Sequence, residues 1–134
     1  MINGCRLIKI DSFRDERGLL SVFDRDAIGF DAKRVFFLSG QTESSVRGDH
    51  ASLFSEWLIL LAGSCRVELD DGTRSERTEL SEPFTALLVP PMIWRRVTGF
   101  SADCLICSVC DREHDPSFYI KDRAKYLELL GLKS

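Results

Sequence analysis

Between residues 65 and 80 the chain spells out a hairpin. Cys65-Arg66-Val67-Glu68-Leu69 alternates strictly between apolar and polar side chains, Asp70-Asp71-Gly72 supplies a tight turn, and Arg74 to Leu80 provides the return strand. Alternation with period two marks a strand with one face buried and the other wetted, and an Asp-Gly pair suits the positive backbone angles of a tight turn.

The rest of the chain keeps to this pattern. Strand-like stretches are expected at Cys5 to Ile10, Leu19 to Phe23, Lys33 to Leu38, Leu58 to Ala62, Thr85 to Val89, Ile93 to Val97 and Cys104 to Cys110. Between them lie the turn Asp15-Glu16-Arg17-Gly18, polar loops at 24–31 and 39–45, the break at Pro83, the pair Pro90-Pro91 and a turn from Gly99 to Asp103. Helical spacing is confined to Lys121 to Leu130, where Tyr126, Leu129 and Leu130 can share one face. Short strands at spacings near ten residues followed by one terminal helix predict an all-β domain, a small antiparallel barrel or jelly roll with one short C-terminal helix. With 134 residues, one domain spanning 1–134 is expected.

Charge narrows the partners. A formal net charge of −3 provides no general attraction for nucleic acid or acidic membranes, so a bound anion has to be held by local arginines. The longest apolar run, Trp57 to Ala62, is far short of the roughly 20 residues that span a bilayer, and Arg6, Lys9 and Asp11 interrupt the start of the chain. A cytoplasmic protein with five reduced cysteines is the expectation. Cys104, Cys107 and Cys110 are three apart on a strand, so they point to opposite faces and do not converge on one ion.

Chemistry concentrates between Arg47 and Gly63. His50-x-Ser52-x-x-x-Glu56, then six residues, then Gly63 is similar to the first motif of cupins, except that the second histidine of that motif is Ser52 here. Alternate residues share a face, so His50 and Ser52 are expected to look into the barrel together. A second histidine after Pro90-Pro91 would complete a metal site, but the chain reads Met92-Ile93-Trp94-Arg95, and no metal or other cofactor is expected.

Asp15-x-Arg17-Gly18-x-Leu20, Lys33-Arg34-Val35-Phe36-Phe37, Arg47-Gly48-x-His50-Ala51, Gly63-Ser64-Cys65-Arg66-Val67 and Leu69-Asp70-Asp71-Gly72 follow one another in order. Val89-Pro90-Pro91-x-x-Trp94-Arg95, Phe100-Ser101-x-x-Cys104 and Asp115-x-x-x-Tyr119-Ile120-Lys121 continue the series. Together they resemble the sugar-nucleotide 3,4-ketoisomerases, metal-independent cupins that act on dTDP-4-keto-6-deoxyglucose in deoxyamino-sugar and cell-surface polysaccharide biosynthesis. The resemblance implies a double-stranded β-helix, a homodimer, and a base that moves a proton between carbons 3 and 4 through an enediol. In the family the second histidine is generally the better candidate for that base; with Ser52 in its place, the base expected here is His50, with Ser52 and Glu56 assisting, and the resemblance gives the diphosphate of a nucleotide sugar to Arg17, Arg47 and Arg95. A carboxylate at Glu56 would favour the imidazolium form of His50 and raise its basicity.

The departures from the family lie in the same pocket. Ser52 stands for the second histidine, Phe37 and Leu88 occupy positions that are often tyrosine, and Glu56 falls where glutamine is usual. Trp57 or Trp94 is a candidate to stack on the base or sugar, although a tryptophan in a barrel wall is more often packing. At this stage an active isomerase that uses His50 alone, and a sugar-nucleotide-binding cupin that has lost the activity or runs another reaction on the same ligand, are both open.

Overall fold

The computed structural model describes residues 1–132. Two five-stranded antiparallel sheets face each other. One has the order β1 (Arg6–Lys9), β9 (Thr85–Val89), β6 (Glu56–Ala62), β11 (Leu105–Cys110), β4 (Arg34–Leu38). The other runs β12 (Tyr119–Ile120), β5 (Arg47–Ser52), β10 (Trp94–Thr98), β7 (Cys65–Asp70), β8 (Ser75–Leu80). This all-β jelly-roll barrel is the expected fold, closed at its C-terminal end by α2 (Arg123–Leu129).

The hairpin expected at residues 65–80 is β7–β8, paired from Cys65↔Leu80 to Asp70↔Ser75. Its turn is tied by Asp71 Oδ1, which accepts from the backbone N–H groups of Thr73 and Arg74 at 2.9 and 2.8 Å. Inward side chains from both sheets meet in one core: Leu58, Leu60, Leu87, Val89 and Ile106 from the first, Val67, Leu69, Leu80 and Val97 from the second. A separate apolar layer lies on the outer face of the first sheet, where Trp57 is covered by Phe23, Ile28 and Phe30 and donates its indole N–H to the Ile28 carbonyl at 2.8 Å.

Three elements differ from the sequence expectation. β2 (Asp11–Asp15) pairs with β3 (Gly18–Val22) as a two-stranded ribbon standing off the barrel, and because all five residues of β2 are exposed it carries no core-facing alternation. The loop after it contains one helical turn, α1 (Arg25–Ile28), which begins at an Asp24 cap and ends at Gly29 in the left-handed region. The two-residue strand β12 adds an edge to β5, set up by a 3-10 turn at Pro116–Phe118.

Candidate active site

The inward rows of the barrel change character toward one end. On β6 the inward residues run Leu60, Leu58, Glu56, and on β10 they run Val97, Arg95, so apolar packing gives way to a carboxylate and a guanidinium. Here the two sheets enclose a cavity of about 180 Å³. β4 contributes Arg34, Phe36 and Leu38, alternate residues on one face, while β5 contributes Arg47, Gly48 and His50, and β12 contributes Tyr119.

Arg47 and His50 are three apart, so a regular strand would send them to opposite faces. A bulge brings them together. His50 pairs with Arg95 and Gly48 with Arg96, which leaves Asp49 as an extra residue with φ of 60°. Gly48 has φ of 75°, and a Cβ there would meet the Arg95 carbonyl oxygen at 3.0 Å. Asp49 turns outward and accepts from the Trp94 indole N–H at 3.2 Å.

The deepest polar contact is the ion pair between Arg95 Nη1 and Glu56 Oε1 at 2.8 Å, with side chains only 2% and 6% exposed. Burial pushes the Arg95 guanidinium down from the usual arginine range, and the Glu56 carboxylate opposes that. Arg95 Nε donates to the Ile93 carbonyl at 3.2 Å, and Nη2 has no partner in the protein. At the rim, Arg34 lies over the Phe36 ring at 4.5 Å, and its Nη1 donates to the Tyr119 hydroxyl at 2.6 Å. The ring of Tyr119 meets His50 edge-on, centroids 5.0 Å apart.

His50 is held neutral. Burial, and next the positive charge of Arg95, lower its pKa from 6.5 to about 4. This reverses the expectation that Glu56 raises its basicity, because the carboxylate is committed to Arg95 and the guanidinium is what the imidazole feels. A neutral imidazole is the form that can accept a proton.

The cavity gathers His50, Glu56, Arg47 and Arg95 from the residues singled out in the sequence. It does not gather the others. Ser52 lies in the inward row behind His50 but is fully buried, its hydroxyl 3.4 Å from the Phe54 carbonyl, and it does not line the cavity. Trp94 sits on the outer face of its sheet against Tyr126 and Arg123, since the inward places of β10 belong to Arg95 and Val97. Phe37 points outward, 62% exposed, and its neighbour Phe36 takes the cavity-facing place. Leu88 belongs to the outer apolar layer beside Trp57. Arg17 occupies the tip of the β2–β3 ribbon, outside the barrel, and pairs with Asp15. Arg34, Phe36 and Tyr119 also line the cavity without having been singled out in the sequence, although all three fall inside the quoted motifs. Among the described residues no three His, Cys, Asp or Glu side chains converge as metal ligands.

The chain around this cavity is similar to known proteins over nearly its whole length. The family model described as FdtA, WxcM-like, C-terminal, matches residues 3–131. The chain belongs to the sugar-nucleotide 3,4-ketoisomerase family. One similar relative is the TDP-4-oxo-6-deoxy-alpha-D-glucose-3,4-oxoisomerase of Aneurinibacillus thermoaerophilus, 31% identical over 133 residues and covering 96% of both chains. Among solved structures, the TDP-fucose-3,4-ketoisomerase WlaRA from Campylobacter jejuni is 31% identical with a TM-score of 0.88, covering 94% of this chain and 95% of its own. The ketoisomerase QdtA from Thermoanaerobacterium thermosaccharolyticum, solved in complex with TDP, is 27% identical with a TM-score of 0.91 and 96% coverage of each. In this ketoisomerase family member Ser52 lies behind the cavity wall and does not line it.

Proposed function

We propose that the protein is an isomerase that moves the keto group between carbons 3 and 4 of a dTDP-linked 4-keto-6-deoxy sugar. The observation that carries this reading is the neutral His50 in a cavity with the buried Arg95–Glu56 pair. His50 takes the proton from carbon 3 and returns it to carbon 4, with an enediol between. Arg95 offers its unpartnered Nη2 to the sugar oxygen that gains charge, and Glu56 holds that guanidinium in place. Arg47 at the mouth takes the diphosphate.

The working form in this reading is a cytoplasmic homodimer that feeds deoxyamino-sugar and cell-surface polysaccharide biosynthesis. Two features support the pairing. The β2–β3 ribbon exposes Phe13, Leu19, Leu20 and Val22, and the outer face of β4 exposes Val35 and Phe37, apolar surface of the kind that marks an interface. Arg17 at the ribbon tip reaches a diphosphate when the ribbon of one copy crosses to the mouth of the other. Trp94, Phe37 and Leu88 keep structural roles in this scheme, as does Ser52.

The test is proton exchange. Purified protein with dTDP-4-keto-6-deoxyglucose in deuterated buffer should incorporate deuterium at carbon 3 or 4 and form the 3-keto isomer, and His50→Asn should abolish both. Exchange that survives in His50→Asn would refute the assignment of the base. Binding of the sugar nucleotide with neither exchange nor isomerisation would refute the activity.

A further inference from the structure

A 3,4-keto shift moves two protons, one between carbons and one between oxygens, and the ketoisomerase reading above assigns a carrier for the first alone. We propose that the Tyr119 hydroxyl is the second proton-transfer group, carrying a proton between the two sugar oxygens while His50 serves the carbons.

Geometry sets the direction of that hydroxyl. Arg34 has donors and no acceptor, so at 2.6 Å its Nη1 donates and the Tyr119 oxygen accepts, leaving the phenolic proton free for another acceptor. Within the protein the remaining partner is His114 Nδ1, at a long 3.4 Å on the solvent side. Tyr119 and His50 line the same cavity, in edge-to-face contact at 5.0 Å, so a sugar placed against His50 also lies beside the phenol. Ser52 offers no substitute, because its hydroxyl is turned to the Phe54 carbonyl behind the cavity wall.

The proton balance closes without a co-reactant. His50 removes the carbon 3 proton, the electron pair forms the double bond between carbons 3 and 4, and the carbonyl oxygen on carbon 4 takes the phenolic proton. The neutral enediol then faces a tyrosinate and an imidazolium, and Arg34 is placed to hold the phenolate charge through a charge-assisted hydrogen bond. In the second half the hydroxyl on carbon 3 gives its proton to the tyrosinate, the carbonyl forms at carbon 3, and carbon 4 takes the proton held by His50. Both side chains finish as they began.

Tyr119→Phe tests this, since the ring contacts to His50 and Phe54 need no hydroxyl. With dTDP-4-keto-6-deoxyglucose in deuterated buffer, kcat for isomerisation should fall about 100-fold or more, within the range of a lost acid–base group. KM should change little, and carbon 3 exchange events per isomerisation should rise roughly tenfold, because an enediolate that lacks the oxygen carrier is reprotonated where it lost its proton. Arg34→Met, which removes the group that holds the phenolate, should raise the same ratio, and it decides the matter if the phenylalanine variant does not fold. An unchanged kcat, a loss confined to KM, or exchange and isomerisation falling in equal proportion would overturn the proposal. A wild-type protein that neither exchanges nor isomerises would overturn the parent reading and this one with it.

Discussion

Glu56→Gln is the perturbation on which the structural account of the cavity depends most. The substitution keeps shape and one acceptor oxygen but removes the charge facing Arg95, whose side chain is 2% exposed. With N and O in contact at 2.8 Å, the charge centres lie about 4 Å apart, and at an effective dielectric near 20 their attraction is about 4 kcal/mol. The glutamine amide oxygen restores about 1 kcal/mol by accepting from Nη1. A net loss of about 3 kcal/mol remains, near the lower end of the cost of stranding one member of a buried pair. Urea unfolding at pH 7 and fixed protein concentration reads it as a midpoint lowered by about 1–2 M at unchanged slope. Replacing both charges, as in Glu56→Leu with Arg95→Met, should recover most of that stability while abolishing activity. A cost under about 1 kcal/mol for Glu56→Gln would refute the reasoning, since it is what a solvated surface pair delivers.

Three further expectations concern other parts of the chain. His50 should make the fold acid-sensitive: with its pKa near 4 folded and 6.5 unfolded, its contribution is complete above pH 6.5 and is lost as pH falls toward 4, by about 2 kcal/mol once partial contact with water is allowed for. Urea titrations of the wild type and His50→Asn across that window should diverge accordingly, and parallel curves would contradict the burial of the ring. Gly63→Ala should destabilise by about 2 kcal/mol or more, because φ is 71° and the new Cβ would stand 2.7 Å from the Cys104 Cα; thermal melts suffice to check it. Arg17→Ala should raise KM about tenfold while leaving kcat and the melting curve nearly unchanged if the ribbon serves a neighbouring mouth, and unchanged steady-state kinetics would remove Arg17 from the site.

The barrel was legible wherever one face of a strand is dry. β7 reads directly as alternation because Cys65, Val67 and Leu69 are buried while Arg66, Glu68 and Asp70 are not. β2 was illegible for the opposite reason, since all five of its residues are exposed and it pairs with β3 in a two-stranded sheet. The candidate site was legible as a neighbourhood and less so as a set of directions. Phe36 and Phe37 differ by one residue, and one residue along a strand exchanges cavity for outer surface. Trp94 and Arg95 divide in the same way. The Arg95–Glu56 pair joins residues 39 apart that had been given separate duties, and only the closure of β6 and β10 onto one cavity brings them together. Arg34 and Tyr119 stood in motifs already quoted, but no spacing along the chain says that residues 85 apart share a hydrogen bond.

The bulge at Asp49 lets β5 carry one residue more than its partner strand needs. Taking Asp49 out would leave Arg47 and His50 two residues apart, so a straight β5 would still turn both toward the cavity and lose only the outward contact of Asp49 with Trp94. The extra residue is thus silent on the cavity side, since the pairing of Gly48 with Arg96 and of Arg47 with Val97 is the one a regular strand without it would make. A descendant of this chain could lose the bulge in one deletion and keep both side chains in the cavity, so the length of this strand can drift while its ligand-facing row does not.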